Sequence, residues 1–75
     1  MYLGTNMMHR VARVENIGGV VVLDDGSKWE VQMTDKSKSM MWLISDQVTV
    51  ESYMVQQYRL TNQNRNSSIL AKHVG

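Results

Sequence analysis

The sequence predicts a small all-β domain, an antiparallel barrel of five or six strands that is SH3-like in type, with the oligonucleotide-binding (OB) barrel as the alternative. Three observations carry this. The stretch Val20-Val21-Val22-Leu23-Asp24-Asp25-Gly26-Ser27-Lys28-Trp29-Glu30-Val31-Gln32-Met33 reads as two strands about a tight turn, with Asp25-Gly26 supplying the positive φ of a two-residue hairpin loop. Further tracts of alternating apolar and polar residues, separated by Gly, Asn and Ser turn signals, recur along the chain. Finally, 75 residues cannot bury the inward faces of so many strands as an open sheet, whereas closing the sheet buries them and removes its unpaired edges.

Residues 1–8 contain Gly4, Asn6 and two adjacent methionines without a period, and are expected to form a flexible arm ahead of a single domain over residues 9–75. From His9 a strand places Ala12 and Val14 on one face and Arg13 and Glu15 on the other, and Gly18-Gly19 ends it. In the second arm of the central hairpin Trp29, Val31 and Met33 share the inner face, while Lys28, Glu30 and Gln32 share the outer one. Residues 34–39 are polar. Met40-Met41-Trp42-Leu43-Ile44 is too short for an independent helix and too irregular for a strand, so a 3₁₀ turn that tucks Trp42 under the sheet is expected. The lack of a convincing helix between the third and fourth strands favours the SH3-like reading.

Ser45-Asp46 is a turn or cap pair. Residues 47–54 make a fourth strand with Val48 and Val50 facing in, and 55–61 a fifth with Tyr58 and Leu60 on one face. Residues 62–67 are a polar loop, and 68–74 a last strand. The expected core is Val14, Val22, Trp29, Val31, Val48, Val50 and Leu60.

Composition bounds the function. The 43 % hydrophobic and 20 % charged fractions belong to a globular chain. No apolar run approaches the ~20 residues that span a bilayer, and no secretory leader pattern is visible, so a cytoplasmic location is the default expectation. The absence of cysteine excludes thiolate metal sites, disulfides and cysteine nucleophiles. Net charge is only +1: residues 1–51 carry five bases against seven acids, and Arg59, Arg65 and Lys72 follow without an acid. That is far from the dense basic footprint of an obligate nucleic-acid binder.

Asp25-Gly26-Ser27-x-Trp29-x-Val31, Trp42-x-x-x-Asp46-x-Val48-x-Val50, Tyr58-x-Leu60-x-Asn62 and Ile69-x-Ala71 together resemble a loose group of small bacterial β-barrel proteins, over roughly residues 11–72. The group has no established function, so the resemblance implies a fold and no activity. Residues 45–51, Ser-Asp-Gln-Val-Thr-Val-Glu, are similar to the turn entering the fourth strand in the OB barrel of bacterial translation initiation factor one. That weaker likeness implies a nucleic-acid-binding barrel.

No pattern supports catalysis. The serines lie in no nucleophile elbow, and Gly18-Gly19 lacks the spacing of a phosphate loop. His9 and His73 are two ligands without a third, and Asp24 and Asp25 diverge if the chain there is extended, so no metal, cofactor or acid-base pair is expected. The expected function is a non-enzymatic interaction module that binds another protein or itself through Met40, Met41 and Trp42. The alternative is single-stranded RNA or DNA binding through Lys36, Lys38, Arg65 and an exposed aromatic, with Tyr58 as the candidate.

Overall fold

A computed structural model describes residues 2–74; Met1 and Gly75, the outer limits of the expected arm and domain, lie outside the described residues. Six strands close the barrel: β1 (Met8–Glu15), β2 (Val20–Leu23), β3 (Lys28–Val31), β4 (Gln47–Met54), β5 (Gln57–Asn62) and β6 (Ser67–Val74). Around the wall the order is β1-β2-β3-β6-β5-β4, and every pairing is antiparallel. The wall is therefore two meanders, β1-β2-β3 and β4-β5-β6, sewn along two seams. Exchanging one meander for the other leaves the order unchanged.

The connection between the meanders is a 3₁₀ turn (Met33–Asp35) that runs into a single helical turn, α1 (Lys36–Ser39). Helical structure thus forms in the polar stretch, earlier than the 3₁₀ turn expected over residues 40–44. The Asp35 carboxylate pins it by accepting the Leu70 N–H of β6. Since the chain leaves the sheet after Val31, Met33 is solvent-exposed rather than inward.

The central hairpin forms, with a different turn. Leu23 pairs with Ser27, the Gly26 N–H donates to the Leu23 carbonyl, and Gly26 alone of residues 24–27 has positive φ, at 86°. This is a three-residue loop closed by a left-handed glycine, not a two-residue loop. The first strand is also corrected. A bulge between Val11 and Arg13 makes Ala12 the extra, exposed residue, so that Val11 and Val14 are the inward pair. The fifth strand starts at Gln57 because Val55 and Gln56 form the turn, with Gln56 at φ 62°.

Val11, Val21, Leu23, Trp29, Val31, Val48, Val50, Leu60, Ile69 and Ala71 fill the interior, with Val14 and Tyr58 partly buried against them. Five of the expected core residues, Trp29, Val31, Val48, Val50 and Leu60, are in it. Val22 is buried but points outward, because its partners in register are Arg13 and Lys28, whose long stems flank it on the solvent side. Trp29 is 0 % exposed, and its Nε1–H donates to Ser27 Oγ at 2.8 Å. Ser27 Oγ in turn donates to Asp25 Oδ1. The Asp-Gly-Ser-x-Trp motif is thus a relay that satisfies the polar edge of a buried indole.

Both ends of the barrel are stoppered by aromatic rings from outside the strands. Trp42 fills the end that carries the crossover, with its Nε1–H toward Ser67 Oγ at 3.4 Å. Tyr2 fills the opposite end, 7 % exposed, edge-on to Trp29 with centroids 4.8 Å apart. The stretch read as a loose arm is therefore anchored, and the Asn6 N–H adds a bond to the Val50 carbonyl. Burial of the Tyr2 ring, the hydroxyl bonds to Asp25 and His9, and the Asn6 bond act together against the entropy cost of ordering the segment.

Candidate functional site

The crossover end presents a groove lined by exposed apolar side chains. Its geometry starts at Gly18, which has φ 84° and lies so close to α1 that an added Cβ would sit 2.5 Å from the Lys36 carbonyl oxygen. Only glycine fits there. The contact is fixed by Ser39, fully buried, whose hydroxyl donates to the Gly18 carbonyl at 2.6 Å. Drawing α1 against the β1–β2 turn leaves the following apolar run at the rim. Trp42 enters the barrel, and its neighbours cannot follow. Ile17, Met40, Leu43 and Ile44 line an open groove with Val14 and Trp42, and Met41 stands exposed beside them.

Ile17 is 81 % exposed and has φ 52°. A β-branched residue in the left-handed region is strained by about 1–2 kcal/mol. Strain of this kind concentrates at functional sites.

Asp46 braces the groove. Its carboxylate accepts from the Leu43 N–H, Asn62 Nδ2 and Arg65 Nε, at 3.0, 2.9 and 2.7 Å. Partial burial opposes its charge, but these donors outweigh that and hold its carboxyl below the usual range. A carboxylate with a depressed native pKa stabilises the fold fully above its unfolded value of about 4, and that contribution is lost as pH falls through the native value. The melting temperature should accordingly drop on acidification below pH ~4. Asp46→Asn should lose roughly 1.5–3 kcal/mol at neutral pH and show a smaller drop between neutral and acid melts. An equal acid sensitivity of the two proteins would remove Asp46 as its source.

Of the expected contact residues, Met40 and Met41 are exposed, while Trp42 is a core residue that reaches the groove only as part of its lining. Ile17, Leu43 and Ile44 were missed. The signal was present: five consecutive apolar residues at 40–44 cannot all enter a barrel this narrow.

The residues proposed for nucleic acid do not assemble as expected. Tyr58 is half-buried, edge-on to Trp29 at 5.2 Å, and packs inward. Lys38 is paired with Asp35 and Arg65 with Asp46. Lys36 lines a separate shallow groove with Glu30 and Lys72. Among the described residues, the cation that does lie over an aromatic face is Arg59, 5.2 Å above the exposed Tyr53. On the outer wall Glu51 stands opposite Arg59 and Glu30 opposite Lys72, which balances sign across strands rather than building a polyanion track.

At the hairpin end, His9 is buried beside the β2–β3 turn, and both aspartates of that turn reach it. Its Nδ1 is 3.6 Å from Asp24 Oδ1 and 3.8 Å from Asp25 Oδ2. The divergence expected of adjacent residues on an extended chain does not apply, because Asp24 and Asp25 sit on the turn itself. His73 lies instead against the rings of Tyr2 and Trp29. Asp25 also accepts Ser27 N–H and Oγ–H and the Tyr2 hydroxyl. Partial burial works against its charge, yet these bonds hold its carboxyl below the usual range, while burial and then the bond to Asp25 push the Tyr2 hydroxyl upward.

No protein-family model matches the chain, and no protein of curated function and no solved structure matches it either. No described helix is long and apolar enough to cross a membrane.

Proposed function

We propose that this barrel is a non-catalytic interaction module, SH3-like in scale, that binds another protein or a second copy of itself through the groove at the crossover end. The supporting observation is the clustering of Ile17, Met40, Leu43 and Ile44, each at least half exposed, around one opening. Large apolar side chains grouped at one place on a small domain mark a contact surface, and methionine adapts to an irregular partner. Recognition in this groove runs through side chains, since its lining is the apolar groups of Ile17, Met40, Leu43 and Ile44 rather than a strand edge.

Light scattering on the eluting protein reads self-association, and affinity capture compared between wild type and Ile44→Asp reads a foreign partner. Ile44→Asp should melt within about 0.5 kcal/mol of wild type, as an exposed substitution does, and abolish association. Ile17→Asn relieves the left-handed strain, so it should stabilise the fold by about 1 kcal/mol while weakening the contact. A monomeric wild type that retains the same proteins as Ile44→Asp would overturn the reading.

The nucleic-acid alternative is supported only by Arg59 over Tyr53 beside Lys38, in a shallow groove on the β5–β6 wall. Binding there would weaken steeply with added salt. Unchanged anisotropy of labelled oligonucleotides at low salt would end it.

A further inference from the structure

The hairpin end holds three ligating side chains that the groove at the opposite end does not involve. His9 is more than nine-tenths buried, and its Nε2 lies 2.7 Å from the Gly4 carbonyl oxygen. A carbonyl only accepts, so Nε2 carries a proton, and in the neutral ring Nδ1 is left with a lone pair. Nδ1 makes no hydrogen bond among the described residues. It is aimed at two carboxylate oxygens, and the three ligand atoms all lie within 4.8 Å of one another. Electron-rich atoms gathered this closely repel unless positive charge sits between them.

We propose that His9, Asp24 and Asp25 form a binding site for a divalent first-row transition-metal ion, with Zn²⁺ as its probe, held by His9 Nδ1 and one oxygen of each aspartate. One imidazole with two carboxylates is a borderline donor set that suits zinc better than the all-oxygen sets of calcium and magnesium. Tetrahedral zinc places neighbouring ligands about 3.4 Å apart. The observed 3.6 and 3.8 Å need contraction by only a few tenths of an ångström.

The outer shell is already that of a metal site. Ligating imidazoles donate their second ring N–H to a carbonyl or carboxylate, as His9 does to Gly4. Asp25 is fixed by Ser27 on one oxygen and by Tyr2 on the other, which orients it toward His9. Asp24, half exposed, leaves an approach from solvent. Three protein ligands leave a fourth position for water. The expectation of no metal site rested on His9 and His73 lacking a third ligand. The turn supplies two carboxylates to His9, and His73 takes no part.

A second proton on Nδ1 would also supply positive charge, and the experiment separates the two. The metal-stripped full chain is titrated with ZnCl₂ by calorimetry, with MnCl₂ and CaCl₂ in parallel, and the histidine ring nitrogens are followed by NMR. Zn²⁺ should bind with one equivalent and more tightly than Mn²⁺ or Ca²⁺, raise the melting temperature, and shift His9 Nδ1 while Nε2 stays protonated. Asp24→Asn, on an exposed position, should weaken Zn²⁺ affinity by at least about 10-fold, the smallest loss typical even of outer-shell partners, while the metal-free melt stays at or above that of wild type because a repelling charge is gone. His73→Gln should bind as wild type does.

The site is overturned by Nδ1 remaining protonated at millimolar Zn²⁺, by Ca²⁺ binding more tightly than Zn²⁺, by equal affinity of wild type and Asp24→Asn, or by loss of binding in His73→Gln. Should Asp24→Asn fail to fold, the ring-nitrogen shifts of the wild-type chain decide the matter alone.

Discussion

Trp29→Ala is expected to cost roughly 3–5 kcal/mol, as truncation of a buried aromatic does. A chain of 75 residues usually commands only about 4–11 kcal/mol in total, so the variant should lose from about a quarter to all of the stability of the fold. The loss has two parts. The indole touches Tyr2, Tyr58 and His73, so its removal opens the largest cavity a single side chain can leave in this interior. It also leaves Ser27 Oγ, which still donates to Asp25, without the indole N–H it accepts. Trp29→Phe separates these contributions: it keeps most of the packing and should lose clearly less. A thermal melt by circular dichroism that does not move in Trp29→Ala would remove the indole from the core.

The second large effect is expected at the start of the chain. Tyr2→Ala should destabilise the domain by roughly 3–4 kcal/mol, because the ring it removes is the stopper of the hairpin end. Tyr2→Phe should cost about 1–2 kcal/mol, since the ring stays and only the hydroxyl bonds to Asp25 and His9 are lost. A segment that merely trails from the barrel would respond to neither substitution by more than about 0.5 kcal/mol. Denaturant unfolding of the three proteins distinguishes the cases, and coincident midpoints would show that the Tyr2 side chain contributes nothing to the fold.

The contrast between these two residues marks what was legible. Trp29 announces itself through period-2 alternation with Val31, beside a turn signal, and local pattern suffices to place it inside. Val48, Val50 and Leu60 follow the same logic. Tyr2 has no such neighbours: it lies between Met1 and Leu3 in a segment without a period, and its burial follows from the barrel having an open end of the right width. That property belongs to the closed wall, not to any stretch of sequence.

The first strand shows a second kind of failure. Alternation at residues 12–15 is real, but the bulge at Ala12 shifts its phase, and nothing in Val-Ala-Arg-Val marks a bulge. The candidate surface was legible in part for a related reason. The run at 40–44 signals apolar excess, yet which member turns inward depends on Ser39 and Gly18, residues 21 positions apart in sequence that meet through one hydrogen bond. The His9 cluster is illegible in sequence because its geometry depends on the three-residue form of a turn whose Asp-Gly pair signals a two-residue loop.

The two seams of the wall, β1 with β4 and β3 with β6, each join residues from different meanders. Neither half can therefore mature ahead of the other: alone, each is a three-stranded ribbon with two raw borders and half an interior. A ribosome must release nearly the whole chain before the native state exists at all, and unfolding should proceed in one concerted step, without a surviving fragment.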